Sequence, residues 1–214
     1  MAEVEPWGDP DPCLHWFALT AGDYWIELGG RELARVDYFA VRLREDLLQL
    51  LPSALQPVPA DLAEFVAADR GRWNAWLEDE KSSERAWDAV LWHGEHSLDF
   101  GYLRRPPRVR AWRTVTGGRD EVTVTVDDRR GSLPAASFTD AVRRFDAELI
   151  AGMERRVEEL ERTGPPAGVE LDLTQLRREH GDRSTWLARR FAADPPETDW
   201  AAVRLGAAEL LAHE

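Results

Sequence analysis

The strongest constraint on the fold is an alternation of apolar and polar residues near the middle of the chain. Three segments show this alternation: residues 97–103, 109–115 and 122–126. A period of two residues predicts β-strands that bury one face and leave the other polar. The sequence Thr116-Gly117-Gly118-Arg119 is typical of a turn, so we predict an antiparallel hairpin across it. Residues 128–131 are predicted to form a loop.

A second β block is predicted near the start of the chain. Its segments are rich in bulky aromatic and aliphatic residues and are separated by glycine-containing turns; they are residues 14–19, 24–28 and 31–36. We expect the strands from residues 14–36 and 97–127 to form one antiparallel sheet.

The remaining segments have helical periodicity. The longest runs over residues 137–162, where Ser137 and Asp140 suggest a capping box. Its apolar residues recur every three or four positions: Phe138, Val142, Phe145, Leu149, Met153, Val157 and Leu160. Further helices are predicted at residues 37–51 (ending at Pro52), after Pro59, and at 70–80, 83–93, 173–180, 184–193 and 198–212.

These elements together predict an α+β fold, in which an antiparallel sheet packs against the long amphipathic helix. We expect a core domain over residues 1–162, a Gly/Pro linker over 163–168, and a helical segment over 169–214 that docks on the core. The chain contains 10 tryptophans. Most are expected in the core, including Trp73, Trp76 and Trp87, which lie with Leu91 on an apolar helical stripe.

The charge balance limits the kinds of partner. The 214 residues include 27 basic and 40 acidic side chains, and the net charge is −13. A negative protein disfavours nucleic acid and anionic membranes and favours a basic protein partner. Acidic residues cluster in segments 1–30 and 61–80, and the predicted partner-binding residues are Asp23, Glu27, Trp76, Glu78, Asp79 and Glu80.

The sequence has few features of a secreted, membrane or catalytic protein. No apolar run approaches the length of a membrane helix, and the acidic start of the chain does not resemble a secretory signal, so we expect a cytoplasmic protein. A single cysteine, Cys13, precludes an intramolecular disulfide. We find no phosphate-binding or nucleophile-elbow motif and therefore predict no catalytic residue and no cofactor.

Two clusters support an alternative function. His93, Glu95, His96 and Asp99 are chemically suited to a metal ion, although their spacing differs from that of common zinc motifs. Residues 104–119 contain six arginines and no acid. Among them, Arg108, Arg110 and Arg113 are candidate anion ligands. The alternative is thus an enzyme or ligand-binding domain that uses both clusters.

Several motifs resemble an uncharacterised actinobacterial family of unknown function. They are Val4-Glu5-Pro6-Trp7-Gly8, Leu14-His15-Trp16-Phe17-Ala18-Leu19-Thr20, Tyr24-Trp25-Ile26-Glu27, Leu98-Asp99-Phe100-Gly101-Tyr102-Leu103, Trp112-Arg113-Thr114-Val115, Gly117-Gly118-Arg119-Asp120 and Val122-Thr123-Val124. This resemblance implies no catalytic residues. The order of elements also loosely resembles toxin-immunity proteins. We therefore expect a non-enzymatic protein-binding module, of which an immunity-type inhibitor of a basic bacterial toxin is one form.

Overall fold

The strands form two separate antiparallel sheets. The computed structural model describes residues 2–4, 15–77, 83–98 and 100–212. One sheet has the order β1-β2-β3, with β1 at Ala2–Val4, β2 at Ala21–Leu28 and β3 at Arg31–Phe39. The other has the order β4-β5-β6, with β4 at Val109–Thr116, β5 at Arg119–Val126 and β6 at Arg129–Pro134. The α+β class is confirmed, whereas the expectation of a single sheet is wrong.

Eight α-helices are present among the described residues. They are α1 at Ala40–Leu55, α2 at Ala63–Ala67, α3 at Asn74–Leu77, α4 at Glu84–Gly94, α5 at Ala135–Thr163, α6 at Leu173–Arg183, α7 at Trp186–Ala192 and α8 at Trp200–Leu211. Short 3-10 helices occupy Ala18–Thr20, Ala60–Leu62 and Arg70–Trp73. Within the described part of the chain, no helix is long and apolar enough to cross a bilayer.

The chain divides into two compact units. The first contains Met1–Leu48 and Ala136–Ala193, and the second contains Gln49–Ala135 and Asp194–Glu214. The C-terminal helices are therefore distributed between them, with α6 and α7 in the first unit and α8 in the second.

In the first unit, the predicted apolar stripe of the long helix is confirmed. All seven of its apolar residues are buried, and Val157 and Leu160 are completely inaccessible. The β2–β3 hairpin turns at Gly29 and Gly30, whose φ angles of 61° and 77° suit glycine and the two-residue turns that join twisted strands.

Three side chains of the first unit, Trp16, His180 and Glu154, are linked by hydrogen bonds. Trp16 Nε1 donates to His180 Nδ1 at 3.3 Å, and His180 Nε2 lies 2.6 Å from a carboxylate oxygen of Glu154. The other oxygen of Glu154 accepts from Arg177 at 2.5 Å. His180 is therefore held in the last turn of α6 by partners on both ring nitrogens.

The second unit is organised around aromatic side chains. Phe65 stacks on Trp73 with centroids 5.0 Å apart and on Trp92 with centroids 6.1 Å apart. Trp112 and residues of α8, such as Val203 and Leu210, belong to the same buried cluster. Trp73, Trp92 and Trp112 are core residues, as expected.

Two segments predicted as strands have other structures. Within segment 14–19, Ala18 N donates to His15 Nδ1 and Thr20 Oγ1 donates to the carbonyl of Phe17, and these local bonds favour a 3-10 turn. In segment 97–103, a turn closes where Leu103 N donates to the Phe100 carbonyl at 2.8 Å. Among the described residues of this segment, pairing with β4 is limited to one bridge, between Ser97 and Arg110.

In the predicted loop at 128–131, residues 129–131 instead belong to strand β6. Val126 pairs with Arg129, so residues 127 and 128 form a two-residue turn. Asp127 has a φ of 53°, a left-handed conformation that aspartate tolerates better than most residues. The predicted capping box is also wrong, because α5 begins at Ala135 and Ser137 already lies within the helix.

Candidate functional site

A cleft of about 700 Å³ lies in the second unit. Its described lining combines charged and apolar side chains: Asp69, Arg70, Leu91, His93, Gly94, Glu95, Ser97, Leu98, Phe100, Gly101, Pro106, Pro107, Arg108, Val109 and Arg110. Clefts of this size accommodate small organic molecules.

Three parts of the chain supply the charged groups. Asp69 and Arg70 come from the start of a 3-10 helix, where the Asp69 side chain caps the amide of Gly71 at 3.0 Å. His93 comes from the last turn of α4, and Glu95 is the residue that caps its C-terminal end. Arg110 lies on β4, and Arg108 immediately precedes that strand.

His93 is a buried, neutral member of the site. Its Nε2 lies 3.0 Å from the Ala68 carbonyl oxygen and 2.9 Å from the Arg110 guanidinium. Burial, followed by the positive charge of Arg110, lowers the pKa of His93 to about 3. The imidazole is therefore uncharged at neutral pH and contributes no positive charge to the cleft.

Arg110 is engaged by the backbone. Its guanidinium donates to the carbonyl of Ala68 and, at 3.3 Å, to that of Val66. Arg110 thus lines the cleft, but its N–H groups that bond these carbonyls are not available to a ligand.

Arg108 and Asp69 form an exposed ion pair at the cleft. Their side chains are 65% and 52% exposed. The amide of Gly71 and the nearby Arg108 hold the pKa of Asp69 below its usual range, so this carboxylate remains ionised at neutral pH.

His96 and Arg113 do not line the cleft, although the sequence placed them with these residues. His96 is fully buried, and its Nδ1 donates to the Trp92 carbonyl at 3.0 Å. Burial lowers the pKa of His96 to about 4. Arg113 pairs with Asp120 at 2.6 Å and donates to the Leu55 carbonyl at 3.0 Å.

The metal-ligand prediction receives no geometric support from the described residues. Among them, no three His, Cys, Asp or Glu side chains are grouped closely enough to hold an ion. Asp99, the fourth predicted ligand, lies outside the described residues.

An exposed face of α4 adjoins the cleft. We define the α4 face as Glu84, Trp87, Asp88, Leu91 and Glu95, which are all exposed and lie three or four residues apart. Trp87 is 42% exposed and Leu91 61% exposed, so their expected place in the core is wrong. The opposite side of α4, including Ala86, Ala89 and Val90, is buried.

The α4 face could have been found from the helical spacing. The same wheel that places Ala86, Ala89 and Val90 together also places Trp87 and Leu91 among three carboxylates on the other side. The high tryptophan content favours a core position for Trp87, and this expectation conflicts with its helical position.

The other predicted partner-binding residues lie on different elements. Asp23 and Glu27 are on β2, where Asp23 lies 3.4 Å from Arg35. Trp76 is partly buried on α3. Glu78, Asp79 and Glu80 lie outside the described residues. A shared role in partner binding for this set stays a prediction.

These features define an α+β protein with a charged cleft beside an acidic and apolar helix face. The chain belongs to a family of unknown function, DUF5984, whose model matches residues 1–206. No curated protein and no solved structure matches the chain.

Proposed function

We propose that the protein is a non-catalytic binding module that recognises a basic protein through the α4 face. The observation that carries this proposal is the exposure of Trp87 and Leu91 side by side among the carboxylates of Glu84, Asp88 and Glu95. Buried tryptophan anchors commonly dominate the binding energy of protein interfaces.

The charge of this face favours a basic partner. In the described part of the chain, neither Glu84 nor Asp88 forms an ion pair, so both carboxylates can meet incoming lysine or arginine side chains. The net charge of −13 adds long-range attraction that accelerates association with a basic protein.

The finer form of the proposal is an immunity-type inhibitor of a basic bacterial toxin, acting in the cytoplasm of an actinobacterium. The acidic charge and the order of elements support this form by analogy. The predominance of arginine over lysine, with Lys81 the single lysine, is in keeping with a GC-rich genome.

The test begins with the product of the neighbouring gene, purified and titrated against this protein by calorimetry. We expect a basic protein to bind, and its affinity to fall as salt is raised. The variant Trp87→Ser/Leu91→Ser should weaken binding at least tenfold. Val115→Ser/Leu205→Ser is the matched control, because these two apolar side chains of the second unit are also exposed, by 53% and 55%.

The α4 face is rejected as the binding surface if the control pair weakens binding as much as the test pair. If binding is insensitive to salt, or if the partner is not basic, the proposed electrostatic attraction to a basic protein is rejected. No binding by any protein encoded beside this gene rejects the immunity form.

A further inference from the structure

The described lining of the cleft holds more basic than acidic side chains, whereas the whole chain is acidic. Its described lining includes the arginines Arg70, Arg108 and Arg110 and the carboxylates Asp69 and Glu95, while the whole chain carries −13. A local excess of guanidinium groups in an acidic protein favours an anion at this place.

Two of the three arginines can reach a ligand. Arg110 is committed to backbone carbonyls and His93. Arg108 is 65% exposed; its Nη1 donates to Asp69 and its Nε lies 3.9 Å from Asp127 Oδ1, which leaves Nη2 for a ligand. Arg70 is exposed and, among the described residues, forms no ion pair.

Arg70 is positioned over the end of α4. Its Nη1 would lie 3.5 Å from a Cβ added at Gly94, so the guanidinium passes close to the helix backbone there. A cation near the C-terminal end of a helix is favoured by the helix dipole. Arg70 thus lies beside Gly94, which also lines the cleft.

The rest of the lining is apolar. Leu98, Phe100 and Val109 are buried residues of the cleft wall, and Leu91, Pro106 and Pro107 also line it. A ligand that fits both parts has an apolar body and one anionic group.

We propose that this cleft binds a small organic acid, whose carboxylate lies between Arg70 and Arg108 and whose apolar body lies against the Leu98, Phe100 and Val109 wall. Guanidinium–carboxylate contacts are charge-assisted and can be bidentate, which suits a single carboxylate. The cleft and the α4 face share Leu91 and Glu95, but they are proposed to bind different ligands: a small organic acid and a basic protein.

Two probes of similar size and shape, one anionic and one neutral, test the proposal. We would titrate the full chain with 2-naphthylacetate and with the neutral 2-naphthylacetamide, using calorimetry. The acid should bind at least tenfold more tightly than the amide, because only the acid can pair with the arginines. Equal affinity for the two probes, or no binding of the acid, overturns the proposal.

Substitutions then test whether Arg70 and Arg108 bind the carboxylate of the ligand. Arg70→Met and Arg108→Met should each weaken binding of 2-naphthylacetate about tenfold without affecting the amide. Arg119→Met is the control, because it makes the same charge change on an exposed residue of the same unit outside the cleft lining. An equal loss in this control overturns the assignment, since overall charge would then explain the effect.

The two proposals can fail separately. Trp87 does not line the cleft, so Trp87→Ser should reduce protein binding and leave 2-naphthylacetate binding unchanged. Arg70→Met should do the reverse.

Discussion

Gly206 of α8 lies directly against the backbone carbonyl of Arg85 in α4. A Cβ at position 206 would lie 2.7 Å from the Cβ of Ala89 and even closer to the Arg85 carbonyl oxygen. The two helices therefore approach so closely at this point that only glycine fits without displacement. This contact joins the C-terminal helix to the helix that carries the α4 face.

Gly206→Ala should destabilise the protein by about 1–2 kcal/mol. The clash involves backbone, which cannot rotate away, and overpacking of this kind costs about 1–3 kcal/mol, partly offset by the better helix propensity of alanine. Urea unfolding measures the change. Gly181→Ala in α6 is the control, because no atom lies within 4 Å of its Cβ position. Equal stability of the two variants would show that α4 and α8 can separate without cost.

Arg44 carries a buried charge that Asp146 neutralises. Arg44 Nε lies 2.5 Å from Asp146 Oδ1, and its Nη2 donates to the Arg183 carbonyl at 2.6 Å. Arg44→Met should cost about 3 kcal/mol or more, because it leaves the carboxylate without its cation. The double variant Arg44→Met/Asp146→Leu should recover most of this loss.

Arg42→Met is the control for the buried pair. Arg42 pairs with Glu45 on the same helix, and its side chain is 35% exposed, so its loss should cost less than about 1 kcal/mol. Thermal unfolding of the wild type and these three variants measures the losses. If the double variant is no more stable than Arg44→Met, then the loss arises from packing and not from an uncompensated charge.

Helix α1 continues past Pro52, although proline normally ends a helix. Proline has no N–H to donate to the carbonyl of Leu48, and Arg190 Nε donates to that carbonyl instead, at 2.6 Å. Arg190→Met should therefore destabilise the protein by about 1 kcal/mol. In a Pro52→Ala background, the amide of residue 52 can donate to the Leu48 carbonyl, so Arg190→Met should cost less there. A cycle of urea unfolding measurements gives this coupling, and additive effects would contradict it.

The Pro52 case shows which parts of the fold follow from local sequence. The apolar stripe of α5 and the β4–β5 hairpin were predictable, because their period is set by which face is buried. The continuation of α1 past Pro52 was not predictable, because the Leu48 carbonyl there accepts from Arg190, which is far away in sequence. Likewise, the sequence placed His93 and Arg110 in one candidate site, but Asp69 and Arg70 join them only through the tertiary fold.

The neutral histidines predict a loss of stability in mild acid. The pKa of His93 is lowered to about 3 and that of His96 to about 4, chiefly by burial, whereas a histidine in the unfolded chain titrates near its ordinary pKa of about 6.5. Below about pH 6.5 the unfolded state therefore binds more protons than the folded state, and stability falls as pH falls. Each histidine should cost about 2 kcal/mol between pH 6.5 and 5.

Urea unfolding at pH 7, 6 and 5 measures this slope. The carboxylates with lowered pKa, such as Asp69, act mainly below this range, so the histidines dominate it. His93→Gln should remove about half of the pH-dependent loss, whatever its effect on stability at pH 7. An unchanged slope in this variant would mean that His93 is protonated in the folded protein, and the neutral pairing with Arg110 would then be wrong.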